Sequence, residues 1–167
     1  NMSCYYCCNE KEKFNSLFVR KKLSEIDFSD YRNVCLSGGE IFLYPQSVMD
    51  VLKQIPKNVN VYLYTNGTLI TRDIAYALAY YKNIKGINIG VHNHIQLNKL
   101  PNELDHFFDV RYDIEDKNVE QYMAKHERLN EKNVKAWSRL KDKPVDTSRP
   151  ALTRIQPVPA RNPPMTG

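Results

Sequence analysis

Three of the four cysteines fall within the first eight residues, Asn1-Met2-Ser3-Cys4-Tyr5-Tyr6-Cys7-Cys8, and the fourth is Cys35. The C-x-x-C spacing of Cys4 and Cys7 lets two thiolates reach one metal centre from a tight loop. Read alone, the pair also suits half of a structural zinc site, completed by Cys8, Cys35 or a histidine. Two further segments carry residues suited to ligands. Gly38-Gly39 lets the backbone turn sharply and approach a ligand with no Cβ in the way, and Glu40 then presents a carboxylate suited to an ammonium group. Thr65-Asn66-Gly67-Thr68 offers small polar groups and a second glycine. Taken singly, these two segments also fit an acid-capped turn and an Asn-Gly turn.

The elements that must position these residues follow from hydrophobic periodicity. Phe14, Leu17 and Phe18 share one helical face, so a helix is expected over about 11–27. Val34-Cys35-Leu36-Ser37 reads as a buried strand that ends at Gly38-Gly39, with Cys35 as a core thiol. Pro45 opens a helix striped by Val48, Val51, Leu52 and Ile55. Residues 59–65 are β-branched and aromatic, a strand stopped by Asn66-Gly67. Thr71 caps a third helix, 86–91 forms the next strand, and Phe107 to Ile114 forms another. A long basic helix is expected from Asn118 to about Leu140. His94, His106 and His126 show no metal spacing and read as surface or loop residues.

Strand starts near 34, 59, 86 and 107, with helical patterns between most of them, give the rhythm of βα units and a parallel sheet. The expected fold is α/β with chemistry at the carboxyl ends of the strands. Those ends carry Glu40, Thr65-Asn66-Gly67, His92 and Asp113. The organisation expected is a core over 1–116, a basic helical segment over 117–141 and a proline-rich tail or linker over 142–167. The last 24 residues hold six of the nine prolines.

The length of 167 residues suits one domain, and no apolar run approaches the ~20 residues that span a bilayer. Membrane partners are therefore not expected. Four cysteines gathered near one end do not make a disulfide framework, which points to a reducing, cytoplasmic setting. The net charge of +5 is concentrated late: residues 117–161 hold eleven Lys/Arg against five Asp/Glu. That balance favours an anionic partner, such as a nucleotide, nucleic acid or acidic protein surface, over a neutral metabolite.

In order along the chain, Cys4 to Cys7, Leu36-Ser37-Gly38-Gly39-Glu40 and Tyr64-Thr65-Asn66-Gly67-Thr68 resemble the radical S-adenosylmethionine (SAM) superfamily. Cys4 and Cys7 match the second and third cysteines of its C-x3-C-x2-C motif, and Tyr6 matches the aromatic before the last. The first cysteine would lie immediately before Asn1, so a chain cut inside the motif, with the barrel incomplete at its N-terminus, is expected. The resemblance covers roughly residues 1–115 and implies a partial (β/α) barrel of parallel strands. It implies a [4Fe-4S] cluster held through Cys4 and Cys7, S-adenosyl-L-methionine as cofactor, and a reductant such as flavodoxin or ferredoxin. By position, Gly38, Gly39 and Glu40 would receive the methionyl ammonium and Tyr6 would lie beside the adenine. Thr65, Asn66 and Gly67 would support the pocket, and Asn88 would reach the ribose or carboxylate. His92, Arg111 and Asp113 would be pocket-wall or substrate contacts. The reaction implied is SAM cleavage to a 5′-deoxyadenosyl radical that abstracts hydrogen from a substrate. Two rivals follow from the same residues: a non-catalytic zinc or nucleic-acid-binding module, and a cluster-free relative that binds SAM.

Overall fold

The computed structural model describes residues 22–137, together with the backbone of two short strands, β1 (Val19–Arg20) and β7 (Thr153–Arg154), which pair in parallel. Between them lie β2 (Asn33–Leu36), α1 (Pro45–Gln54), β3 (Asn60–Thr65), α2 (Arg72–Ala79) and β4 (Ile84–Val91). There follow α3 (His94–Lys99), α4 (Glu103–Phe107), β5 (Val110–Glu115), α5 (Val119–Met123) and β6 (Val134–Trp137). Strands β2 to β6 form one sheet in sequence order, every pair parallel. Sequential order with helical crossovers is the wall of a (β/α) barrel, here a partial one that does not close.

Local chemistry explains the elements. Pro45 occupies the first turn of α1, where its missing N–H has no partner to lose, and Val48 and Leu52 bury one stripe. The Thr71 hydroxyl accepts from the Ile74 amide at 3.3 Å and starts α2. The Asn93 side chain does the same for Gln96 at the start of α3, at 2.9 Å.

Period-two alternation then divides the sheet into two faces. Leu36, Val61, Leu63, Ile87, Ile89, Tyr112 and Ile114 are buried on one face, in the core that also takes Leu52, Leu78, Leu97 and Leu104 from the helical segments. The opposite face is open and carries Cys35, Tyr62, Tyr64, Asn88, Arg111, Asp113, Lys135 and Trp137.

Several expectations are corrected. Cys35 is exposed on the open face rather than buried, because alternation places it opposite Leu36. Phe107 ends α4, and its strand begins only at Val110. The long basic helix is a five-residue α5, a series of turns and then β6, which pairs with β5 and extends the sheet past residue 116. His94 and His126, expected as surface or loop residues, are half-buried and meet each other: His94 Nδ1 lies 3.0 Å from His126 Nε2, with the His94 ring against Tyr122. Of the helix expected over 11–27, residues 11–21 lie outside the described residues, and Leu23–Glu25 forms a 3-10 turn. The tail, apart from Thr153–Arg154, also lies outside them.

Candidate cofactor and substrate site

The carboxyl edge of the sheet is built around Glu40. After β2 the chain turns through Gly38, whose φ of 155° suits glycine, and Glu40 then caps the 3-10 turn Ile41–Leu43. Its Oε1 accepts from the Phe42 amide at 3.0 Å and from the Thr65 hydroxyl at 2.6 Å. Its Oε2 accepts from the Asn66 amide at 2.8 Å. Two segments 25 residues apart in sequence are thereby joined by one carboxylate. An ionised carboxylate has about four acceptor positions, so one remains, on Oε2. A Cβ built on Gly39 would meet nothing within 4 Å, leaving open space beside that loop.

The Thr65-Asn66-Gly67 end of β3 is a frame. Thr65 Oγ1 also accepts from the Gly67 amide at 2.8 Å, and Asn66 Oδ1 accepts from the Thr68 amide and hydroxyl at 2.9 and 2.7 Å. Gly67 takes φ +73°, and a Cβ there would stand 2.6 Å from Leu100 Cδ2, so only glycine fits. Its role is to hold the loop against the core.

Gln96 completes the frame and escaped the sequence reading. Only 2% exposed, it donates through Nε2 to the carbonyls of Asn66 and, at 2.6 Å, Gly90. Its Oε1 accepts from the His92 amide at 2.8 Å. The Asn66 peptide is thus gripped on both sides, by Glu40 at its N–H and by Gln96 at its C=O. The Asn93-x-x-Gln96 spacing of a capping box was the available signal. The amide does not return to the cap backbone of Asn93, as in that box, but to His92 and the ends of β3 and β4.

Asn88 lies one row further in on the open face, in register with Tyr64 and Arg111. Beyond it a cavity of about 370 Å³ is lined by Gly90, Val91, His92, Asp113, Lys135 and Trp137. Burial pushes the His92 imidazole down, which keeps it neutral near pH 7. Burial pushes Asp113 up, against the opposing pull of Lys135 and Arg111. Lys135 and Trp137 fell inside the expected helix. Their four-residue strand is too short for its alternation to stand out among helix-forming neighbours.

The order of these ends, Gly38-Gly39-Glu40 then Thr65-Asn66-Gly67 on adjacent parallel strands, coincides with a family match. The Radical SAM superfamily profile matches residues 1–140. The chain belongs to the radical SAM superfamily. That is a family of enzymes, whose members typically bind a [4Fe-4S] cluster and SAM. No curated protein matches the chain. The radical SAM match runs past β6, in keeping with that strand's place in the sheet.

Cys4, Tyr6 and Cys7 lie outside the described residues, and no group of three metal-ligating side chains forms among the described ones. A cluster would therefore rest on the N-terminal segment. For SAM the described residues do fit: an acceptor position is left on Glu40, and open space lies at Gly39. No helix among the described residues is long and apolar enough to cross a membrane.

Proposed function

We propose that this chain is a radical SAM enzyme that binds SAM across the carboxyl edge of β2 to β4. The observation that carries the reading is the Glu40 carboxylate, which ties the Gly-Gly-Glu and Thr-Asn-Gly segments into one pre-formed cradle. Glu40 would accept from the methionyl ammonium at its remaining position, with the Gly38-Gly39 backbone alongside. Thr65, through its hydroxyl, and Asn66, through its amide N–H, hold that carboxylate in place, and Gly67 keeps the loop against the core. Asn88, on the open face, would meet the ribose or carboxylate. Cys4 and Cys7 would hold the cluster, with Tyr6 beside the adenine. When bound, cluster and cofactor supply a 5′-deoxyadenosyl radical able to take a hydrogen atom from a substrate. This chain's part is to bind, orient and shield, with an external reductant such as flavodoxin or ferredoxin in a cytoplasmic setting.

The test is anaerobic reconstitution with iron and sulfide, followed by assay for 5′-deoxyadenosine from SAM under reducing conditions. Cleavage supports the reading. Uptake of zinc alone, with no SAM bound, overturns it in favour of a binding module. Cluster uptake and SAM binding without cleavage overturns the catalytic part and leaves a degenerate relative.

A further inference from the structure

Asn66-Gly67 is the one Asn-Gly pair in the 167 residues. Such a pair carries a reaction of its own. The glycine nitrogen, with no side chain in the way, can attack the asparagine Cγ, and ammonia leaves to give a five-membered succinimide. Water then opens the ring to aspartate or isoaspartate. The balance is side-chain amide plus water to carboxylate plus ammonia. The reaction needs a Gly67 N–H able to lose its proton, a Cγ open to attack, and free rotation about the Asn66 Cα–C bond to bring the two together.

The frame opposes that rotation directly. The Gly67 N–H donates to Thr65 Oγ1 at 2.8 Å, and the Thr65 hydroxyl in turn donates to Glu40 Oε1 at 2.6 Å. The Asn66 carbonyl, at the other side of the same peptide plane, accepts from the buried Gln96 amide. Turning the plane about the Asn66 Cα–C bond therefore breaks both contacts at once. Glu40 also sets a negative charge 2.8 Å from the Asn66 amide nitrogen, which opposes the anion that Gly67 must become to attack. Thr68 pulls the other way. Its amide and hydroxyl donate to Asn66 Oδ1 at 2.9 and 2.7 Å, and two donors on that oxygen polarise Cγ toward a nucleophile. The electrophile is primed and the nucleophile is held.

We propose that Asn66 is a latent deamidation site, kept intact by the Thr65 and Gln96 contacts that clamp the Asn66–Gly67 peptide, and converted when that clamp opens locally. Isoaspartate adds a carbon to the main chain, so the frame cannot close again around it. A loosening of this loop thereby becomes a lasting chemical change at the carboxyl edge of the sheet. The inference stands whether or not that edge binds SAM.

Mass spectrometry follows conversion at Asn66 in the whole chain, and in a free peptide of residues 63–69, through incubation in warm, mildly alkaline buffer. The peptide converts readily and the folded parent at least about tenfold more slowly, the scale of two hydrogen bonds that must yield. Thr65→Val, which keeps the shape and loses the hydroxyl, converts about fivefold faster than the parent while folded, the scale of one such bond. Thr65→Ser, which keeps the hydroxyl, stays near the parental rate. Urea added to the parent until its stability equals that of Thr65→Val controls for general loosening, and the parent still converts more slowly. Hydrogen exchange of the Gly67 amide in the parent needs no variant to fold, and it is at least about tenfold slower than in the peptide. A parent that converts at the peptide's rate, a Gly67 amide that exchanges as in the peptide, or a folded Thr65→Val no faster than the parent overturns the proposal. Equal rates at matched stability also overturn it, since conversion would then pass through global unfolding.

Discussion

The two halves of the sheet's carboxyl edge are built on opposite principles. At β2 and β3 the polar groups are joined to one another: Glu40 takes three protein donors, Asn66 is held at both its N–H and its C=O, and Gln96 satisfies three backbone groups from a buried position. At β5 and β6, Asp113 keeps a buried oxygen bare and Lys135 stands without an ion pair among the described residues. Satisfied networks rigidify a structure, whereas an unsatisfied buried group raises its free energy. The first half therefore reads as a fixed frame and the second as a less tightly tied edge.

The contrast breaks most sharply at Gln96. Gln96→Leu keeps an apolar body in the core but removes three hydrogen bonds, those to the carbonyls of Asn66 and Gly90 and that from the amide of His92. Three hydrogen bonds lost from a buried position, partly offset by local shifts, are expected to cost about 3–5 kcal/mol. Chemical denaturation measures it, and a loss under 1 kcal/mol would show that the frame is not held through this side chain. Gln96→Glu sharpens the point, since it faces an acceptor toward two carbonyl oxygens. That variant is less stable at pH 7 and partly recovers as the new carboxyl protonates in acid.

At the other end the sign reverses. Burial raises the Asp113 pKa in the folded state above its unfolded value near 3.8. The native protein then holds its proton to higher pH than the unfolded chain, so stability falls as pH rises from about 4 through the folded pKa. The penalty is complete above that point. Asp113→Asn removes the charge, so at pH 7 the variant is expected to be more stable, read as a higher Tm than the parent's. The gain should vanish below pH 4, where both side chains are neutral. A variant less stable than the parent at pH 7 would mean that Asp113 is held by the fold after all.

How much of this was legible depended on the length of the signal. β3, α1 and α2 were readable because each carried several periods of apolar pattern and a recognisable cap or stop: Pro45, Thr71 or Asn66-Gly67. β6 was not, since Val134-Lys135-Ala136-Trp137 gives two alternations amid helix formers, and only its pairing with Tyr112 to Glu115 stabilises it as a strand. Cys35 was misplaced because a strand of apolar residues hides which face is buried until its neighbours are known. In the candidate site, Glu40 and Thr65 were singled out as types, but their bond to each other is a tertiary fact. The His94–His126 contact likewise spans 32 residues and leaves no trace in local spacing.

The finest test of the contrast lies in Gly39, where fold and function should separate. No φ in the left-handed region constrains it, and a methyl group would meet nothing within 4 Å. Gly39→Ala is therefore expected to change stability by less than about 0.5 kcal/mol. If the space over this loop is where SAM's amino acid portion lies, the same methyl occupies the approach that glycine leaves open. Binding of SAM then weakens by about tenfold, while 5′-deoxyadenosine, which lacks the methionyl group, is bound as before. Glu40→Gln is a poorer probe of the same contact, because the structure gives that carboxylate three protein donors and a neutral amide cannot accept them all. A Gly39→Ala protein with parental stability and parental SAM affinity would move the amino acid portion off this loop. The frame would remain, but its purpose would then be to hold the edge of the sheet and not to receive an ammonium.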